Sequence, residues 1–144
     1  AVAGGVTLIA LGNAEPVAAI LAAEDTEGLD YRGVLPIRKG NLVAGRHALL
    51  DGLPQRTAFD WEYQAFYTVR GMTRSSLNLY GAETVVAAVT DNERQIGSAL
   101  AVVPYGRGRI VLSTLNILPL LNDDAPQAAV ARRLLFNVLD FAGK

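Results

Sequence analysis

The chain contains no cysteine and a single histidine, His47, among 144 residues. The first absence excludes a disulfide scaffold, a thiolate zinc site and a cysteine nucleophile. The second leaves one imidazole for any triad or metal set. Charge of either sign is also scarce: 13 Lys and Arg against 14 Asp and Glu give a net charge of −1. That balance provides no electrostatic footprint for nucleic acid or an anionic membrane, and neither is expected as a partner. No apolar run reaches membrane-spanning length. The chain opens at Ala1-Val2-Ala3-Gly4-Gly5 with neither an initiator Met nor a signal-peptide pattern. This opening reads as the tail of an earlier helix, and a fragment of a longer polypeptide is expected.

What is present is apolar. Half of the residues are hydrophobic, enough for one globular domain spanning residues 1–144 with its own core. The organising stretch is Gly97–Asn116, two apolar strands around Pro104-Tyr105-Gly106-Arg107-Gly108. Continuous β-branched runs predict strands covered on both faces. The two glycines supply a tight hairpin turn, with Pro104 marking the strand end. The Gly-x-Gly spacing is no phosphate loop, because no helix follows it and no Gly-Lys-Ser/Thr is present.

Upstream, Val6–Leu11 reads as a buried strand. A helix then runs to about Ala23, with Asn13 as cap and Pro16 in its first turn. Strand, helix and further strands form an α/β signature. The loop Gly12-Asn13-Ala14-Glu15 lacks the glycine fingerprint of a dinucleotide fold, so no cofactor is expected there. Glu24–Asp30 reads as a solvated helix end. Val34–Arg38 and Leu42–Val43 are short extended segments around a turn at Lys39-Gly40-Asn41. Arg46–Pro54 reads as one helical turn stopped by Gly52 and Pro54. Ala58–Val69 alternates Phe59, Trp61 and Tyr63 with Asp60, Glu62 and Gln64, the pattern of a half-buried strand. Gly71–Tyr80 is polar and irregular, and Glu83–Thr90 is a strand. Asp91–Arg94 is a charged turn, and Ile117–Leu121 a short helical turn. Asp124 and Pro126 start a last helix that ends at Gly143, with Val130, Leu134, Leu135, Val138 and Leu139 as its apolar stripe.

Candidate chemistry is thin. His47 and Asp51 lie four apart, which on a helix brings them together. The serines Ser75, Ser76, Ser98 and Ser113 occupy no Gly-x-Ser-x-Gly elbow, and ordinary capping explains the pair better than a triad. Asp60 and Glu62 flank Trp61 on one strand face. Paired carboxylates could act on a glycosidic bond, although alternating acids on a solvent face are routine. Trp61 and Tyr63 could stack on a sugar ring with Asp60 hydrogen-bonding to it; an edge strand with large core side chains is the plainer reading. Asp123-Asp124 reads as a helix start, and no metal site is expected.

Four segments together resemble one family. Gly4-Gly5-Val6-Thr7-Leu8-Ile9 resembles the helix, Gly-Gly, strand step of class I glutamine-amidotransferase-like domains. His47-Ala48-Leu49-Leu50-Asp51-Gly52-Leu53-Pro54 resembles a His-Pro-Leu-Phe-x-Gly-Leu-Pro segment of such domains where they are appended to glycoside hydrolases. Pro104–Val111 is similar to their Tyr-Gly-Lys-Gly-Arg-Val-Val hairpin, and Ala131–Leu139 to their final helix. The resemblance covers most of the chain in order. It implies a flavodoxin-like α/β sandwich with a mixed sheet, a C-terminal β-hairpin and a closing helix, lacking the first βα unit. It also implies the setting of the accessory domain in bacterial β-galactosidase-like or family 2 glycoside hydrolases, periplasmic or secreted. True amidotransferases use a cysteine on an elbow and a histidine near the domain end. Neither is present, so glutaminase activity is not carried over. The expectation is a non-catalytic accessory domain that packs on the rest of a larger hydrolase, on a second copy or weakly on a glycan. The alternatives are a carboxylate glycosidase using Asp60 and Glu62, and a sugar-binding module centred on Trp61 and Tyr63.

Overall fold

A computed structural model describes residues 2–24, 26, 28–37, 42–58, 61–66, 68–69, 72–73, 75–89 and 95–144. The longest buried stretch lies in strand β9 (Ile96–Tyr105), where Gly97 to Val103 are all buried. A strand so apolar must be flanked by strands on both edges and covered on both faces. On one edge it pairs antiparallel with β8 (Glu83–Val89). On the other it pairs antiparallel with β10 (Gly108–Ser113) through the hairpin, whose turn residue Gly106 has a φ of 60°. The ladder runs through Pro104, which pairs with Arg109, so the strand ends at Tyr105 rather than at the proline. Strand β1 (Thr7–Leu11) lies parallel to β10, Thr7 opposite Arg109 and Leu11 opposite Ser113.

Beyond β8 come β3 (Leu42–Ala44) and the two-residue β4 (Thr57–Ala58). Strand β7 (Ser75–Tyr80) joins β9 at Leu77 opposite Ser98 and carries β2 (Asp30–Pro36) on its far side. A Cβ on Gly97 would run into the Ser76 side chain, which explains a glycine where β7 meets β9. The result is an open eight-stranded mixed sheet, with a small hairpin of β5 (Thr68–Val69) and β6 (Met72–Thr73) beside it. Among the described residues three α-helices accompany it: α1 (Glu15–Ala23), α2 (Ile117–Leu120) and α3 (Gln127–Ala142). The fold is therefore mixed α/β.

The two faces bury separate cores. On one, α3 sets Val130, Ala131, Leu134 and Val138 against Leu42, Val86, Leu100, Val102 and Val111. On the other, Ala14, Ala18 and Leu21 of α1 pack with Leu77 and Leu79 against Ala101, Val103, Ile110 and Leu112. From Leu100 to Val103 and from Ile110 to Leu112 successive residues thus go to opposite cores, the period-2 geometry of a central strand.

Several expectations are corrected. Val34–Arg38 and Leu42–Val43 do not form a hairpin together, since β2 pairs with β7 and β3 with β8. Within the polar segment ending at Tyr80, Ser75–Tyr80 is a strand, with Ser76 and Asn78 buried. Ala58–Val69 is not one strand. Trp61 to Tyr63 make a turn and Gln64–Phe66 a 3-10 turn, which sets Tyr63 and Phe66 side by side in the core. Neither expected cap forms: the cap residues of α1 and α3 are Ala14 and Pro126, neither with a side-chain bond, and it is Asp123 whose Oδ1 accepts from the Ala125 N–H at 3.0 Å. Within α3, Asn137 is buried and Leu139 is exposed, the reverse of the apolar stripe. The turns expected at Lys39-Gly40-Asn41 and Asp91–Arg94 lie outside the described residues.

Candidate functional site

The segment around His47 forms a 3-10 turn, Ala48–Leu50, directly after β3. His47 caps it, its Nδ1 accepting the Leu49 N–H at 3.0 Å. Its Nε2 lies 3.6 Å from the Glu83 carboxylate at the start of β8, and its ring meets Phe141 edge-on at 5.3 Å. Asp51 does not pair with His47. It meets Arg133 of α3, whose Nη2 is 3.1 Å from Asp51 Oδ2 and whose Nε donates to the Asp51 carbonyl at 2.9 Å. Buried Asn137 donates to the Leu49 carbonyl at 3.1 Å and the Asp51 carbonyl at 2.8 Å. Gln55 closes the turn from the other side, donating to the Leu50 carbonyl and accepting from the His47 N–H. A 3-10 turn leaves its carbonyls without helical partners, and α3 supplies them.

The expected sugar contacts separate. Trp61 is 49% exposed on the turn, and its backbone carbonyl accepts from Gln127 of α3 at 3.4 Å. Tyr63 is 1% exposed, packs on Phe66 and donates its hydroxyl to the Pro54 carbonyl at 2.7 Å. Burial, with the Glu62 carboxylate second, pushes the Tyr63 phenol well above its ordinary range. That ring is a core residue and cannot lie under a sugar beside Trp61. Asp60 lies outside the described residues.

A recess lies at the carboxyl ends of β1 and β10, around the Gly12-Asn13-Ala14-Glu15 loop at which no cofactor was expected. Open α/β sheets commonly bind ligands at such ends. Gly12, Asn13, Ala14, Glu15, Val34, Ser75 and Thr114 line about 180 Å³. An adjoining apolar recess of about 290 Å³ runs between Leu11–Asn13 and Asn116–Pro119. Its signal in the sequence was the pair of strand ends Leu11-Gly12-Asn13 and Ser113-Thr114-Leu115-Asn116. Two hydroxyls at the end of β10 bond to the backbone: Ser113 Oγ accepts the Leu115 N–H at 3.2 Å, and Thr114 Oγ1 donates to the Ala99 carbonyl at 3.4 Å. His47 stands at the start of β8, away from these strand ends, so the recess offers no nucleophile–base pair with the histidine.

Among the described residues, no three His, Asp or Glu side chains are grouped to hold a metal ion. No helix there is long and apolar enough to cross a membrane. Comparisons of the chain with models of known families, with curated proteins and with solved structures found no match.

Proposed function

We propose that the chain is a non-catalytic accessory domain of a carbohydrate-active, β-galactosidase-like hydrolase, on an amidotransferase-like plan related to flavodoxin-like folds. Its role in this reading is packing against the rest of the hydrolase. One observation carries the reading. The His47–Pro54 segment, which bears the most distinctive part of the family resemblance, has its polar groups engaged in holding α3 to the sheet. His47 caps its own turn, and the Leu49 and Asp51 carbonyls are held by Asn137. A segment so engaged acts as a brace, and its histidine has its Nδ1 committed to the backbone. The test is turnover of chromogenic glycosides by this chain alone. None is expected, and turnover abolished by Asp60→Asn would replace the accessory reading with a carboxylate glycosidase.

A second reading, weak glycan contact, is favoured by the exposed indole of Trp61. Titration with galactosides should then quench or shift its fluorescence. A flat response into the high millimolar range removes it.

A further inference from the structure

We propose that the crevice at the carboxyl ends of β1 and β10 binds a small neutral molecule with hydroxyl groups at one end and an apolar group at the other. The two strands are adjacent and parallel, and the chain leaves them in opposite directions. After β1 it crosses to α1, whose Ala18 and Leu21 pack in the core on one face of the sheet. After β10 it crosses to Ile117 and then α3, which pack in the core on the other face. Connections that leave neighbouring parallel strands toward opposite faces must part, and the gap between them is where open α/β sheets take their ligands. Both strand-end recesses lie in this gap. They share Gly12 and Asn13, so the polar space of about 180 Å³ adjoins the apolar space of about 290 Å³. Together they reach the size of an ordinary small-molecule site.

The lining sets the chemistry of the occupant. On the polar side Glu15 brings a carboxylate, Asn13 an amide, and Ser75 and Thr114 hydroxyls. No side chain caps α1, so the Ala14 and Glu15 N–H groups at its start have no helical partner. Donors and acceptors therefore share one wall, and a ligand hydroxyl, which both donates and accepts, suits it. Charge narrows the choice. Among the described residues of the lining Glu15 is the only charged one. Its carboxylate sits at the positive end of the α1 dipole, and the two offset each other. The wall thus gives neither an anion nor a cation enough to repay its lost hydration. On the other side Leu11, Ile117, Leu118 and Pro119 offer apolar surface, with Leu118 49% exposed. Covering that surface favours a ligand that carries an apolar group beside its hydroxyls. Glycoside turnover and ligand binding are measured separately, so failure of the accessory-domain reading leaves this site standing.

Four probes test the site by chemical-shift titration of the isotope-labelled chain. Phenoxypropanediol has both features, glycerol lacks the apolar group, phenoxyacetate is an anion and phenethylamine a cation. The diol should give saturable shifts in the millimolar range, centred on the amides of Leu11–Glu15 and Thr114–Pro119. Glycerol, without the ring, should bind about tenfold more weakly. Phenoxyacetate and phenethylamine should each bind more weakly than the diol. Leu118→Ser shortens the apolar wall and should weaken the diol while leaving glycerol unchanged. Glu15→Gln removes the charge that offsets the dipole, so phenoxyacetate should gain on the diol. Trp61→Phe should leave the diol unchanged, which separates this site from sugar contact at the indole. Thermal unfolding and circular dichroism verify that each variant is folded. A diol that gives no saturable shift up to its solubility overturns the inference. So does a charged probe that binds more tightly than the diol. Shifts centred away from the two strand ends, unchanged in folded Leu118→Ser or abolished by Trp61→Phe, overturn it as well, because the binding then lies elsewhere.

Discussion

The two flanks of α3 differ in what they touch. On one, Asn137 and Arg133 reach the Ala48–Leu50 turn and the Asp51 carbonyl, so this margin is fixed by directional bonds to backbone groups. On the other, Leu139 is mostly exposed. The sheet repeats the contrast: it ends in the two-residue β4 at one margin and in the apolar β1 at the other. Polar bonds fix position where two parts of this chain must meet in one register. Apolar surface without such bonds is suited to a contact made after folding.

The ridge between the flanks should dominate stability. Leu134 is fully buried between them, and Leu134→Ala should cost about 2–5 kcal/mol by denaturant unfolding. A cost under about 1 kcal/mol would mean that α3 is not seated on the sheet, and the comparison would collapse. Next comes the bonded flank. Asn137→Ala leaves two turn carbonyls without this donor and should cost about 1–3 kcal/mol. A near-neutral result would show that water replaces the amide and that the margin is not fixed by it.

The bonded margin also explains what could be read from the sequence. The β9–β10 hairpin, β8, α1 and α3 were legible because apolar periodicity and glycine punctuation agree there; β1 was legible as a strand, but it was expected to be buried and none of its five residues is. Strand β7 was hidden because Ser76 and Asn78 face inward, Ser76 bonding to the Leu35 carbonyl across β2. A buried polar face looks like a loop in a hydrophobicity pattern. The aromatic segment misled in the opposite way. Its alternation suggested a strand, but Tyr63 and Phe66 are three residues apart and meet through a 3-10 turn. Asn137 was not singled out, because nothing local announces a carbonyl-bearing turn 86 residues away. The resemblance identified the His47 segment, and only the contacts with α3 disclosed its role as a brace. The strand-end recess needed β1 and β10 side by side, which is tertiary information.

Tyr63 tests the bonded margin by pH. Its hydroxyl donates to Pro54, just past the turn, and its phenol is raised above the ordinary value of 10.0. Below about pH 10 the phenol is protonated in both folded and unfolded chains, and its contribution is fully present. Above that the unfolded chain ionises while the folded one does not, so stability falls as pH rises toward the folded value. Tyr63→Phe should lose about 1 kcal/mol at neutral pH and show a shallower alkaline decline. Some slope will persist, because burial raises Tyr31 and the bond to Glu24 raises Tyr105. An unchanged alkaline profile would place the phenol in solvent.

The smallest effect belongs to the open flank. In the dilute monomer, Leu139→Lys removes little packed surface, and lysine is a good helix former. Its charge near the C-terminal end of α3 suits the helix dipole. Its cost should stay within about 0.5 kcal/mol. Arg133→Ala on the other flank removes an exposed ion pair worth about 0–1 kcal/mol, together with a donor to the Asp51 carbonyl. Measured on the same helix by the same unfolding curve, the arginine should therefore matter at least as much as the leucine. If Leu139→Lys instead costs several kcal/mol in the monomer, the leucine is packed within the fold, and the bare flank on which the contrast rests does not exist.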